Sequence, residues 1–96
     1  MQTSIRRSLS DPQIQAVLGA RLRDYRKAHG LSLDALAERA GLAALTIHNA
    51  EHGGNFTIRT LLRVLRALDR LEQLDLCLPP VPPSPLDLID EESAHG

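Results

Sequence analysis

The apolar positions of this chain recur at helical spacing through most of its length. In "SDPQIQAVLGARLRDYRKAHG", Ile14, Val17, Leu18, Leu22 and Tyr25 fall three and four apart and mark one buried face. Ser10 or Asp11 starts that helix, Pro12 suits its first turn, and Ser10 with Gln13 forms a capping box. Gly30 ends it in a left-handed conformation. "LSLDALAERAG" predicts a second, short helix, capped by Ser32, with Asp34 at its positive end and Gly41 as its stop. Leu33, Leu36, Ala37 and Ala40 are its apolar residues. A third helix follows from about Ala44 to Glu51, with Ile47 and Ala50 inward, and then a Gly53-Gly54-Asn55 loop. Thr57 caps a fourth helix whose buried residues are expected to be Leu61, Leu62, Leu65 and Leu68.

The chain then becomes ambiguous. Asp69 and Glu72 have the spacing of a capping box, and Leu71, Leu74 and Leu78 favour a fifth helix. Leu74, Leu76 and Leu78 also alternate as in a strand. The helix is the preferred reading. "PPVPPSP" excludes helix and predicts an extended run, and Ser84 could cap one turn in the acidic end beyond it. The expected organisation is an N-terminal arm over 1–9, an all-α domain over 10–78 and a Pro-rich acidic tail over 79–96.

Composition sharpens this outline. Tyr25 and Phe56 are the only aromatic residues, so the core is aliphatic and both rings are expected in it. The single cysteine, Cys77, allows no internal disulfide and fits a reducing cytoplasm. No apolar run is long enough for a signal peptide or a membrane span. The net charge of −1 conceals an asymmetry. All eleven basic residues and six acidic ones lie in residues 1–70, whereas residues 71–96 carry six acidic residues and no Lys or Arg. The front of the chain can therefore approach an anion, and Arg59, Arg63, Arg66 and Arg70 form a stripe on the fourth helix.

Two short helices joined at Gly41, with small Ala37 at their crossing, predict a helix-turn-helix over 32–52. The stretch "LRDYRKAHGLSLDALAERAGLAALTIHNAEHGGNFTIRTLLRVLRAL" resembles the Cro/cI-type (XRE) family of bacterial and phage regulators. The resemblance rests on Leu31, Leu36-Ala37, Gly41, Thr46-Ile47, Glu51, Gly53 and Leu61-Leu62, and covers roughly residues 17 to 69. It implies a five-helix, lambda-repressor-like fold whose third helix enters the DNA major groove. It also implies an ion pair between Arg26 and Glu51.

The resemblance carries DNA contacts over position by position. Ala44, Leu45, Thr46, His48 and Asn49 become base-reading candidates. Ser32, Ala43, His52, Gly54, Asn55 and Arg59 become phosphate candidates. Several of these depart from the family pattern: Leu33 stands where Gln is common, Ala43 where a polar cap is common, and Ala44 and Leu45 where polar readers are common. Ala44 and Leu45 can still meet a thymine methyl, while His48 and Asn49 can hydrogen-bond to base edges. Arg6 and Arg7 of the arm could follow a minor groove, beside the simpler reading of an unstructured basic tail.

Other chemistry finds less support. "HNAEH" spells a zinc-peptidase signature, but two histidines one turn apart lack a third ligand. No Gly-rich phosphate loop follows a strand, and Cys77 has no neighbouring histidine. No cofactor and no enzymatic activity are expected. The expected function is a sequence-specific regulator of transcription on double-stranded DNA, a repressor, acting as a homodimer through Leu71, Leu74, Leu76 and Leu78, with closure of a monomer core by those leucines as the alternative. The run "TIHNAEHGGNFTIRTLLRVLRALDRLEQLDLCL" also resembles the antitoxins of Hip-type toxin–antitoxin pairs, which implies autoregulation and a kinase-like toxin partner. In that reading the acidic end, Asp87 to Glu92, contributes to the partner contact. The competing reading is a protein-interaction module on the same fold, drawn from the apolar Ala43-Ala44-Leu45 face.

Overall fold

The computed structural model describes residues 4–84. It contains α1 (Asp11–Ala28), α2 (Leu33–Ala40), α3 (Ala44–Glu51), α4 (Ile58–Ala67) and α5 (Gln73–Cys77). No strand occurs among the described residues, so the alternation of Leu74, Leu76 and Leu78 does not produce one. The fold is all-α, as the periodicity predicts. The acidic end beyond Ser84, including any turn capped by it, lies outside the described residues.

Three helices start as their sequences dictate. The Ser10 hydroxyl accepts from the Gln13 amide at 3.3 Å while the Gln13 side chain accepts from the Ser10 amide at 2.8 Å, completing the capping box. Ser32 and Thr57 cap α2 and α4 through the amides of Ala35 and Thr60. Four helices end in the same way. Gly30, Gly41, Gly53 and Asp69 take positive φ, and each following amide reaches back five residues to a helix carbonyl.

Asp69 corrects a sequence expectation. It is not the cap of a fifth helix but the left-handed residue that closes α4, at φ 58°. Its amide donates to Arg66, and the Arg70 amide donates to Leu65 at 2.7 Å. Aspartate tolerates this conformation better than most residues with a Cβ. Consequently α5 begins later, at Gln73, and has no side-chain cap.

The core lies where α2 packs on α3 and α4, and α1 on α3. Leu22, Leu36, Ala37, Ile47, Ala50, Val64 and Leu68 form it. Leu36, Ile47 and Leu68 are fully enclosed, each contributing about 1.5–3 kcal/mol by leaving water. On α4 the inward residues are Val64 and Leu68, whereas Leu61, Leu62 and Leu65 are only half-buried. The apolar arc of α4 is wider than the surface available to cover it. Two members of the predicted α1 face, Leu18 and Tyr25, are likewise 38 % exposed, and the Tyr25 ring lies under the Arg70 guanidinium at 4.8 Å. Phe56 is half-buried against the core.

Candidate nucleic-acid interface

The helix-turn-helix is set by one close crossing and one turn. Ala37 is small enough to let the crossing close, and Gly41 reverses the chain while the Leu42 amide donates to the Ala37 carbonyl at 3.0 Å. Ile47 and Ala50 then anchor α3 inward. The opposite side of α3 presents Leu45, His48, Asn49 and His52, a set spaced three and four apart. Leu45 is 68 % exposed. Ala44 and Thr46 are half-buried, with Ala44 against the core. Five base-reading candidates thus divide into three that face outward and two that lean inward.

A buried ion pair holds α3 to α1. Arg26 Nε donates to Glu51 Oε2 at 2.7 Å, and Nη2 donates to Oε1 at 3.0 Å. The remaining nitrogen donates to the Leu31 carbonyl at 2.8 Å, so the guanidinium also secures the turn after α1. Arg26 and Glu51 are only 8 % and 6 % exposed. The hydrogen bond that Arg26 donates to Glu51 raises the Arg26 pKa above its ordinary value; burial opposes this and the carboxylate's attraction adds to it. Beside the pair, Gly19 brings the α1 backbone directly against the carbonyls of Ala50 and Glu51. A glycine within a strong helical pattern was the sequence signal for that contact, and periodicity alone passes over it.

His48 and His52 stack with ring centroids 4.1 Å apart. His52 Nδ1 lies 2.7 Å from the His48 carbonyl oxygen. A carbonyl only accepts, so Nδ1 carries a proton, and a neutral His52 ring offers only a lone pair at Nε2. Meeting a phosphate there requires the imidazolium form. Among the described residues, no three His, Cys, Asp or Glu side chains come together to hold a metal ion.

The phosphate candidates also divide. Ser32 already caps α2, and its hydroxyl hydrogen remains available outward. Ala43 gives α3 no side-chain cap; the Thr46 amide donates to the Ala43 carbonyl at 3.0 Å, which leaves the Ala44 and Leu45 amides for water or an anion. The amide of Gly54, a phosphate candidate, donates to the Asn49 carbonyl at 2.8 Å, and that of neighbouring Gly53 to Ala50, so neither is an open donor. Asn55 is held by a residue that reading passes over: its side-chain oxygen accepts from the Gln15 amide, which turns its own NH2 group to other partners. Arg59 is exposed in the first turn of α4. Arg63 instead donates to the Gly41 carbonyl at 3.1 Å, tying α4 to the turn. The Arg stripe is therefore divided between outward charge and internal bracing.

Between the start of α2 and α3 lies an open cleft of about 560 Å³, lined by Ser32, Leu33, Asp34, Ala44, Leu45 and His48, with Arg26 at its base. Asp34 is the unexpected member, a carboxylate on the face that would meet DNA. No helix among the described residues is long and apolar enough to cross a membrane.

A short helix docked across a second one, anchored from behind and polar along part of its outer face, is the architecture of helix-turn-helix proteins of the DNA-binding class. A family model for the helix-turn-helix domain matches residues 17–75, more than half of the chain. The chain belongs to that family. No curated protein matches it.

Proposed function

We propose that the protein is a sequence-specific regulator of transcription that binds double-stranded DNA as a homodimer and acts as a repressor. The observation that carries this reading is the outward row Leu45, His48, Asn49 and His52 on a helix fixed from behind by Arg26 and Glu51. Rigid presentation of that row is what groove reading requires, since side chains must meet base edges without a large ordering cost. Leu45 supplies a contact for a thymine methyl, and His48 and Asn49 supply hydrogen bonds. Ser32, Asn55 and Arg59 hold the backbone. The apolar first turn makes the reading rest more on the second turn of α3 than on its tip.

The test is selection of binding sites from random duplexes, followed by affinity measurement at two salt concentrations. Arg59→Ala should weaken binding to all sequences and reduce the salt slope by about one. Asn49→Ala should change the selected sequence. No binding to any duplex at low salt would reject the reading in favour of the interaction module, which draws on the exposure of Leu45. A more particular version, an autoregulating antitoxin with a kinase-like toxin as partner, draws on "TIHNAE" in α3 and on the acidic run from Asp87 to Glu92. Binding to the DNA upstream of its own gene, together with a kinase-like protein encoded beside it, would support that version. The absence of both would remove it.

A further inference from the structure

His48 and His52 lie one helical turn apart on the outward row of α3, both exposed, with their rings stacked at 4.1 Å between centroids. The proton of a neutral His52 sits on Nδ1, held 2.7 Å from the His48 carbonyl oxygen, so its outer nitrogen, Nε2, presents a lone pair. The His48 ring makes no hydrogen bond among the described residues, so one of its nitrogens is equally open. Two imidazole lone pairs one turn apart on a helix are a chelating pair. Tetrahedral zinc holds each nitrogen at about 2.0–2.1 Å, which sets two of them roughly 3.3 Å apart. Exposed rings stacked at 4.1 Å come to that separation by a small tilt.

The glutamate of "HNAEH" takes no part. Both Glu51 oxygens accept from Arg26, and its side chain is 2 % exposed. A closed or hydrolytic centre is therefore not what this helix builds. Two nitrogens leave open coordination positions, which water or an anionic oxygen fills. Asp34, a carboxylate on the cleft that His48 also lines, makes the surroundings favourable to a cation. The same face is the one that would meet DNA. A neutral His52 offers a phosphate only a lone pair, and a dication held there turns that lone pair into an anion-binding group.

We propose that His48 and His52 together hold one divalent transition metal ion, of the zinc, nickel and copper class that imidazole favours, and that its open positions take a DNA phosphate oxygen. His48 keeps an N–H on its other ring nitrogen for a base edge. The metal pair stands without DNA, whereas the phosphate contact rests on the proposed function.

Equilibrium dialysis of the full chain against zinc tests the pair alone. His48→Ala and His52→Ala should each lower zinc affinity roughly tenfold or more, since the second imidazole acts at high effective concentration. His29→Ala should leave it unchanged. His29 ends α1 in the same way, with Nδ1 2.8 Å from the Tyr25 carbonyl oxygen, but has a phenol instead of an imidazole one turn before it. Far-UV circular dichroism should be the same for all three variants. Zinc affinity indifferent to His48 and His52 would overturn the site. Anisotropy of a labelled duplex, in zinc and in EDTA, tests the bridge. Zinc should tighten DNA binding about fivefold or more, and DNA should tighten zinc binding by the same factor. His52→Ala should abolish both effects. Duplex binding equal in zinc and in EDTA, or weaker in zinc, would overturn the phosphate contact and leave the metal pair. A chain that takes up zinc at the pair and binds no duplex in either condition would overturn the proposed function and the phosphate contact together.

Discussion

Gly19→Ala separates local propensity from tertiary packing. Position 19 lies inside α1, where alanine is favoured over glycine by about 1 kcal/mol. Propensity alone predicts stabilisation, and the packing reverses the sign. A Cβ at position 19 would stand 2.3 Å from the Ala50 oxygen, 2.8 Å from the Glu51 oxygen and 2.9 Å from the Glu51 carbonyl carbon. All three are backbone atoms on a helix fastened to α1, so no rotamer change relieves the overlap. The two helices must separate by roughly 1.1 Å to restore ordinary contact distance, which places the overpacking strain near the top of its usual range, about 3 kcal/mol. Less the propensity gain, the net loss is about 2 kcal/mol. In a domain of this size that lowers the melting temperature by roughly 8–16 °C. Thermal melting followed by far-UV circular dichroism measures it. A variant that melts at or above the wild-type temperature would refute the close approach of α1 and α3.

Other substitutions probe the site from different sides. Arg26→Met should cost about 3–5 kcal/mol in urea denaturation, because Glu51 is left buried without its partner, and adding Glu51→Leu should recover most of that loss. The raised pKa of Arg26 means that its stabilisation is present at every pH below the ordinary arginine value and fades only in stronger alkali, so Arg26 itself adds no slope to stability between acid and mildly alkaline pH. Ala43→Ser should stabilise the domain by about 1 kcal/mol, since position 43 has the extended backbone of a capping residue, with φ −72° and ψ 143°, and lacks only the acceptor. It should also tighten DNA binding by adding a hydroxyl at the tip of α3, and titration with a fixed duplex tests both effects.

What the sequence disclosed depended on whether a signal was local. Ser10, Ser32, Thr57, Gly30 and Gly41 act within a few residues of themselves, and each sits where its chemistry predicts. Asp69 departs from expectation because D-x-x-E serves a helix start, while the preceding helix claims the aspartate for its end through the bonds to Leu65 and Arg66. Leu61, Leu62 and Leu65 of α4 depart from expectation for another reason, while Leu68 is buried as expected. Periodicity finds an apolar arc, but α2 determines which part of it is covered, and that part centres on Val64 and Leu68. At the interface, the outward row of α3 follows from helical spacing, and the Arg26–Glu51 pair follows from resemblance. Gln15 reaching Asn55 across 40 residues, Arg63 bracing Gly41, and Asp34 entering the cleft have no counterpart in local pattern.

The Arg26–Glu51 pair has a consequence for how the molecule switches off. An eight-residue helix such as α3 does not persist in water by itself. Its last residue is bonded to α1, and its inner face exists only inside the assembled core. No form in which α3 has parted from α1 and the core can therefore retain the outward row of α3, and on the proposed function binding competence should vanish with the fold in one cooperative transition. The active fraction of a preparation then equals its folded fraction. Any factor in the cell that captures the unfolded chain also withdraws the corresponding amount of DNA-binding activity, with no need to touch the interface.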